Sequence, residues 1–237
     1  MNISAINASA TTRLLDWPVQ SALTGGNASL AQRNTLALRY PPDIAPFGAV
    51  ADETVEAFEA LASLTPAGSR IALVGPDAVA VPAGFAIERQ IPIVQMILIG
   101  PAPAEATAGP VPVLLGTPDV AEMMDIAGRT RPGPFGPRTI ELGTYLGIRI
   151  DGSLVAMAGE RMRFDRFVEI SAVCVDPGHR GKGYAALLMR RLARGIQARG
   201  LTPILHVLED NHVAIALYRM LGFEARRTLS LTVFAQR

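Results

Sequence analysis

Residues 173–185, Val-Cys-Val-Asp-Pro-Gly-His-Arg-Gly-Lys-Gly-Tyr-Ala, constrain this chain more than any other stretch. The apolar run over 170–175 reads as a buried strand, Pro177-Gly178 as a turn and Tyr184 as the opening of a helix. Gly181 and Gly183 remove side chains at the bend, so backbone N–H groups can lie bare where the helix dipole is positive. Strand, glycine loop and helix start in that order form an anion seat, and Arg180 and Lys182 add charge at its rim. The expected ligand carries a di- or polyphosphate. Two other phosphate seats are excluded by spacing. A P-loop needs Ser or Thr after its lysine, and Lys182 is followed by Gly183. A dinucleotide fingerprint needs a third glycine, which Tyr184-Ala185-Ala186 does not supply.

The 237 residues suffice for one large domain or two small ones, and 49% hydrophobic with 18% charged residues is a globular balance. A formal charge of +1 gives no reason to expect a nucleic-acid partner. Arg190, Arg191, Arg194 and Arg199 read as a solvated helix face, because no aromatics interleave with them. A single cysteine, Cys174, excludes an intrachain disulfide framework and suits a reducing compartment, so a cytoplasmic protein is expected. The first 15 residues lack the basic and apolar regions of a signal peptide. The most apolar stretch, 91–100, contains Pro92 and Gln95 and is too short to span a bilayer, so no membrane partner is expected. Three histidines and one cysteine predict no metal site.

Along the chain, the apolar spacing over 14–38 is helix-like but broken at Thr24-Gly25-Gly26. A clear helix follows over 52–64, with Asp52 the expected N-cap and Val55, Phe58 and Leu61 on one face. Strands are predicted over 69–74, 85–87 and 91–99, and the proline-rich stretch 101–112 reads as a linker. Beyond it come a strand at 111–115, a helix to about 127, and two strands turning on Asp151-Gly152, a type I′ hairpin signal. A strand over 168–175, a helix over 184–196, a strand over 203–208, a helix over 211–221 and a strand over 228–234 complete the pattern. This divides the chain into an N-terminal α/β domain, 1–105, and a second α/β domain, 111–237.

The stretch Asn211-His-Val-Ala-Ile-Ala-Leu-Tyr-Arg-Met-Leu-Gly-Phe223 carries the second signal. Asn211 suits an N-cap, Ala214, Leu217, Tyr218 and Leu221 form a stripe, and Gly222 suits the left-handed residue past the helix end. Arg180-x-x-Gly183-x-Ala185 is similar to the coenzyme A pyrophosphate loop of the GNAT superfamily of N-acetyltransferases. The later stretch resembles that superfamily's Asn-x-x-Ala-x-x-Leu-Tyr-x-x-x-Gly-Phe helix at every fixed position. Residues 111–237 are thereby identified as a GNAT-like catalytic domain, similar in Glu169-Ile-Ser-Ala-Val-Cys-Val-Asp-Pro to the C-terminal domain of glycine N-acyltransferases.

The resemblance implies a mixed, mostly antiparallel sheet whose strands 168–175 and 203–208 splay to admit acetyl-CoA as co-substrate. Its acyl arm would pair with the backbone of Val173, Cys174 and Val175, and its pyrophosphate would sit on the amides of Arg180, Gly181, Lys182, Gly183, Tyr184 and Ala185. Tyr218 is the expected general acid, since a phenol titrating near ~10 keeps its proton at neutral pH. Glu169 is the expected base, with Glu209, Asp210 and His206 behind it. Strand alternation predicts Glu169, Ser171, Val173 and Val175 on one face, and Cys174 on the other as a core residue. Asn211 is expected either to touch the acyl arm or only to cap its helix. The N-terminal domain is read as noncatalytic, in the form of a degenerate GNAT-like half that walls the acceptor pocket. The acceptor implied is the primary amine of a small molecule or amino acid. A noncatalytic acyl-CoA binding or sensing module and a protein lysine or N-terminal acetyltransferase are the alternatives.

Overall fold

The computed structural model describes residues 11–79, 84–104 and 109–236. Helices α1 (Thr11–Asp16) and α2 (Pro18–Thr24) precede a small antiparallel sheet of β1 (Gln32–Arg33), β2 (Ala37–Arg39) and β3 (Gly48–Val50). Helix α3 (Val55–Leu64) follows, then β4 (Arg70–Gly75) and β5 (Phe85–Leu98). The later half runs β6 (Val113–Leu115), α4 (Val120–Thr130), β7 (Tyr145–Ile150), β8 (Ser153–Phe164), β9 (Phe167–Val175), α5 (Tyr184–Ala198), β10 (Thr202–Leu208), α6 (His212–Met220) and β11 (Phe223–Gln236).

Eight strands form one sheet in the order β4-β11-β5-β10-β9-β8-β7-β6. Every pair is antiparallel except β9 with β10, which a right-handed crossover through α5 would join as parallel neighbours. The mostly antiparallel mixed sheet flanked by helices is as expected. The division at 105–111 does not separate two sheets, however. Strand β5, from the N-terminal half, lies between β10 and β11, and β4 pairs with the far side of β11. The β5–β11 ladder runs from Phe223↔Leu98 to Gln236↔Phe85, so the two halves share a backbone framework.

Several local expectations shift under tertiary context. The segments 85–87 and 91–99 are one strand, because β11 supplies partners along its whole length. Pro92 is tolerated one residue beyond the last β10 pair, Leu208↔Ile93, where the missing N–H costs no rung on that side. The N-cap of α3 is Thr54, whose side chain accepts from Ala57 N–H; Asp52 instead holds Thr54 through its N–H and hydroxyl. At the β7–β8 hairpin Asp151 and Gly152 have φ of 50° and 80°, the type I′ turn that the dipeptide predicts.

The faces of the sheet are covered by different helices. Leu188, Leu192 and Ile196 of α5 and Ile215 of α6 pack on Ile148, Ala156, Val168 and Ile170. On the opposite face Met123 and Ile126 of α4 pack on Leu115, Tyr145 and Met157, while Leu15, Val19 and Leu23 of α1 and α2 cover Met162, Phe164 and Phe167. Burial of such aliphatic side chains contributes about 1.5–3 kcal/mol apiece.

Candidate active site

The site begins where β9 and β10 part. Their pairing is confined to Thr202↔Phe167, Pro203↔Val168 and Ile204↔Glu169. From Ser171 onward β9 has a ladder to β8 but none to β10, so the edge at residues 173–175 offers backbone donors and acceptors to a ligand. A cavity of about 300 Å³ occupies this opening, lined by Val173 on one wall and by Val207, Asn211, Ala214 and Tyr218 on the other.

A bulge reshapes that edge. The β8–β9 register passes from Gly159↔Ser171 to Met157↔Cys174, setting Ala172 and Val173 against the single residue Ala158. Ala172 takes φ of +53°, a left-handed conformation that costs a non-glycine residue on the order of 1 kcal/mol. The bulge also reverses the alternation. Val168 and Ile170 face α5 before it, Val173 and Val175 face α5 after it, and Ala172 and Cys174 pack toward α4. The expectation that Glu169 shares a face with Val173 and opposes Cys174 is therefore overturned. Cys174 is free and buried, as expected, and burial raises its thiol above the ordinary range.

At the far end of β9 the glycine loop is laid out as an anion cradle. Asp176 accepts from Gly178 N–H and pairs with Arg129, which fixes the start of the loop. Gly181 and Gly183 have φ of 77° and 78°, and a Cβ at either would meet no atom within 4 Å. Gly183 is the N-cap of α5 and offers no side chain to the first-turn amides, while Arg180 and Lys182 are exposed beside it. Bare amides at the start of a 15-residue helix, with two cations at the rim, fit an oligophosphate.

Across the cavity, Tyr218 stands on α6 with its ring edge-on to Phe223. Burial pushes its phenol up to about 12. Asn211 caps the same helix, accepting from Ala214 N–H at 3.1 Å, and also lines the cavity. Gly222 closes the helix at φ of 88°.

The other end of the cavity is built from charge. Arg161 lies in a second bulge, on β8 between the pairs Glu160↔Ile170 and Arg163↔Val168, which turns it onto Glu169. Its Nε and Nη2 donate to the two carboxylate oxygens at 2.8 and 2.5 Å, and its guanidinium lies 4.9 Å above the Phe47 ring. His206 Nδ1 lies 2.8 Å from Glu169 Oε1, and its Nε2 lies 2.9 Å from Gln95 Nε2. Gln95 Oε1 accepts from Arg226, which fixes the other atom of the amide as a donor. His206 Nε2 is then an acceptor, and Nδ1 carries the proton that Glu169 receives. Arg226 continues the network to Asp16 of α1, which also binds Arg227.

This arrangement sets Glu169, the expected base, apart from the cavity. Its side chain is 0% exposed and does not line the cavity. Burial alone would raise its carboxyl, but the Arg161 charge and the hydrogen bonds from Arg161 and His206 hold it down at about 2. Its hydrogen bonds hold Arg161 and His206 in place. Nor do Glu209 and Asp210 border the cavity; Glu209 accepts from the Thr228 hydroxyl instead. Arg161, Gln95, Arg131 and the Ala172 bulge were not anticipated. Gln95 had a signal, as a polar residue inside the most apolar stretch of the chain. The N-terminal half reaches the cavity directly, through Phe47, Val74 and Ile93. Among the described residues no cluster of three or more His, Cys, Asp or Glu forms a metal site, and no helix is long and apolar enough to cross a membrane.

The family model for FR47-like proteins matches residues 145–231. The N-alpha-acetyltransferase RimI of Mycobacterium tuberculosis is 41% identical over 83 residues, 34% of this chain and 51% of that protein. The streptothricin acetyltransferase of Streptomyces lavendulae is 35% identical over 82 residues, 34% of this chain and 43% of that protein. The chain thus spans about half or less of the length of these curated relatives. Among solved structures, a GCN5-related N-acetyltransferase from Kribbella flavida shares the fold, with a TM-score of 0.65 at 18% identity over 97% of this chain and 96% of that one. A protein from Novosphingobium aromaticivorans assigned to the GNAT family is 42% identical, with a TM-score of 0.87 over 94% of this chain and 98% of that one. Likeness at that identity runs through both halves of the molecule, and on it this chain belongs to the GNAT family of acetyltransferases.

Proposed function

We propose that this chain transfers an acetyl group from acetyl-CoA to the primary amine of a small molecule by direct attack, with no acyl-enzyme. The observation that carries the reading is a single cavity joining the unpaired edge of β9 to Tyr218. The curated relatives that are named as acetyltransferases support it. When bound, acetyl-CoA supplies an acetyl group already activated as a thioester.

The chain's own groups divide the remaining work. The amides from Arg180 to Ala185 hold the phosphates, each such contact at a helix start contributing about 0.3–1 kcal/mol. The backbone of Val173, Cys174 and Val175 pairs with the acyl arm as a neighbouring strand would. An N–H freed by the bulge at Ala172 polarises the carbonyl, held in place by a strained turn that needs no reorganisation. Tyr218 donates to the departing sulfur. A thiol titrates near ~8.5, well below this phenol, so full transfer is uphill unless the phenol is re-protonated. The proton lost by the nitrogen as the C–N bond forms and the C–S bond breaks restores it, and the net reaction moves one proton from nitrogen to sulfur. Cys174 does not line the cavity, which argues against an acyl-cysteine route.

The test is acceptor-dependent release of free thiol when purified protein meets acetyl-CoA and a panel of amines, with Tyr218→Phe alongside. Wild-type release that drops about 10²–10⁴-fold in kcat in the variant is the expected outcome. Acetyl-CoA binding with no thiol release from any small amine would instead favour a binding module or a protein acceptor.

A further inference from the structure

We propose that the acceptor amine also bears a carboxylate, that Arg131 and Arg161 bind it, and that the rest of the acceptor is apolar. This rests on the acyl-transfer reading and narrows it to amino acids and similar amino carboxylates, excluding polyamines and other polycations. Among the described residues, the charged side chains lining the cavity are Arg131 and Arg161, with no Asp or Glu. Glu169 lies behind the wall with both oxygens engaged, so it cannot balance a charge inside.

Arg161 is a fixed cation with a donor to spare. Its side chain is 12% exposed, Nε and Nη2 are committed to Glu169, and Nη1 makes no hydrogen bond among the described residues while the side chain borders the cavity. A guanidinium clamped between a carboxylate and an aromatic ring is pre-organised for a second anion. Arg131 stands at the rim, just past α4, in a left-handed conformation of φ 51° whose N–H is tied to Ala127. It is exposed, pairs with no acid among the described residues, and leads into Pro132-Gly133-Pro134, which also line the cavity.

Arg161 does not belong to the phosphate seat. Arg161 faces Glu169, and from there to Val175 β9 advances roughly 20 Å at ~3.3 Å per residue, before the glycine loop begins. Apart from Ser171 and His206, the remaining acceptor-side lining, Phe47, Val74, Ile93, Met162 and Leu231, is apolar. An ammonium ion entering such a cavity finds Arg161, already paired with Glu169, and Arg131, which has no acidic partner among the described residues, and no acid in the lining. An amino carboxylate brings its own countercharge and satisfies the arginines.

The test compares matched amines on the wild-type enzyme: phenylalanine, its amide, phenethylamine and spermidine. The expected kcat/KM for phenylalanine exceeds that for phenethylamine and spermidine by about 10- to 100-fold, the size of a charge-assisted hydrogen bond or two. Arg131→Gln is expected to narrow that ratio by raising KM for phenylalanine, with kcat little changed. Equal or better turnover of phenethylamine or spermidine overturns the proposal. An Arg131→Gln effect confined to acetyl-CoA affinity reassigns that residue to the cofactor and overturns its part. Should no amine release thiol, calorimetry of phenylalanine and phenethylamine in the presence of coenzyme A still decides. Preferential binding of phenylalanine upholds the anion subsite while the transfer reading fails, and equal or absent binding of both overturns the subsite too.

Discussion

The two ends of the cleft are built from different materials. The phosphate end is backbone: two glycines in left-handed conformations, an uncapped helix start and a strand edge without a partner. The acceptor end is side chain: Arg161, Glu169, His206, Gln95 and Arg226 in one chain of hydrogen bonds, brought together from both halves. A backbone seat has little electrostatic investment and tolerates change in its surroundings. A buried ionic seat stands or falls as a unit, because each charge is tolerable only while its partners remain. The glycine-loop end therefore rests on local backbone geometry, whereas the ionic end is tied to this chain's own core.

The sharpest way to break the comparison is at Glu169. Glu169→Gln leaves the Arg161 guanidinium buried without a full countercharge, and a loss of about 3–5 kcal/mol in unfolding free energy is expected by urea titration. Arg161→Met combined with Glu169→Leu is expected to recover much of it, since an apolar pair of similar volume removes both charges. The same residue sets a pH dependence whose sign is fixed. Its folded value, about 2, lies below the ordinary 4.5, so its contribution is complete above about pH 4.5 and is lost as the pH falls toward 2. Acid unfolding curves of wild type and Glu169→Gln should converge across that window. A variant that unfolds like wild type but has lost turnover would show that Glu169 is a catalytic base after all, and the contrast between the two ends would fail.

The phosphate end is probed by Gly183→Ala. No atom lies within 4 Å of the added Cβ, so the cost is that of holding alanine at φ +78°, about 1–2 kcal/mol. That is smaller than the effect at Glu169, and it should appear as weaker acetyl-CoA binding as well as a lower melting temperature. A stability loss as large as that of Glu169→Gln would mean that the loop, too, is integral to the core.

This difference in materials also decided what the sequence could reveal. Glycine spacing, an N-cap asparagine and a helix stripe are local patterns, and Gly181, Gly183, Asn211, Tyr218 and Gly222 all occupy the conformations or faces that their spacing predicts. The Ala172 bulge left no mark, because nothing in Ser-Ala-Val announces φ of +53°, and one extra residue inverted the face of everything after it. Arg161 was missed because its pairing with Glu169, across eight residues and two bulged strands, is a tertiary fact. The insertion of β5 between β10 and β11 is likewise invisible to local pattern, since a strand's composition does not name its neighbours.

Asn211 belongs to both accounts, and the smallest predicted effect falls there. Its Oδ1 accepts from Ala214 N–H, and it also lines the cavity beside Tyr218. Replacing an N-cap asparagine by alanine costs about 0.5–2 kcal/mol, so Asn211→Ala is expected to lower stability by about 1 kcal/mol. Asn211→Asp keeps a capping oxygen and should restore that loss, yet it removes the amide N–H donors and places a negative charge in the cavity. If the residue only caps α6, KM for acetyl-CoA in Asn211→Asp stays at the wild-type value. If its amide also holds the acyl arm, KM rises several-fold while the melting temperature recovers. That divergence would extend the backbone-built end of the cleft by one side chain that the local pattern had already singled out.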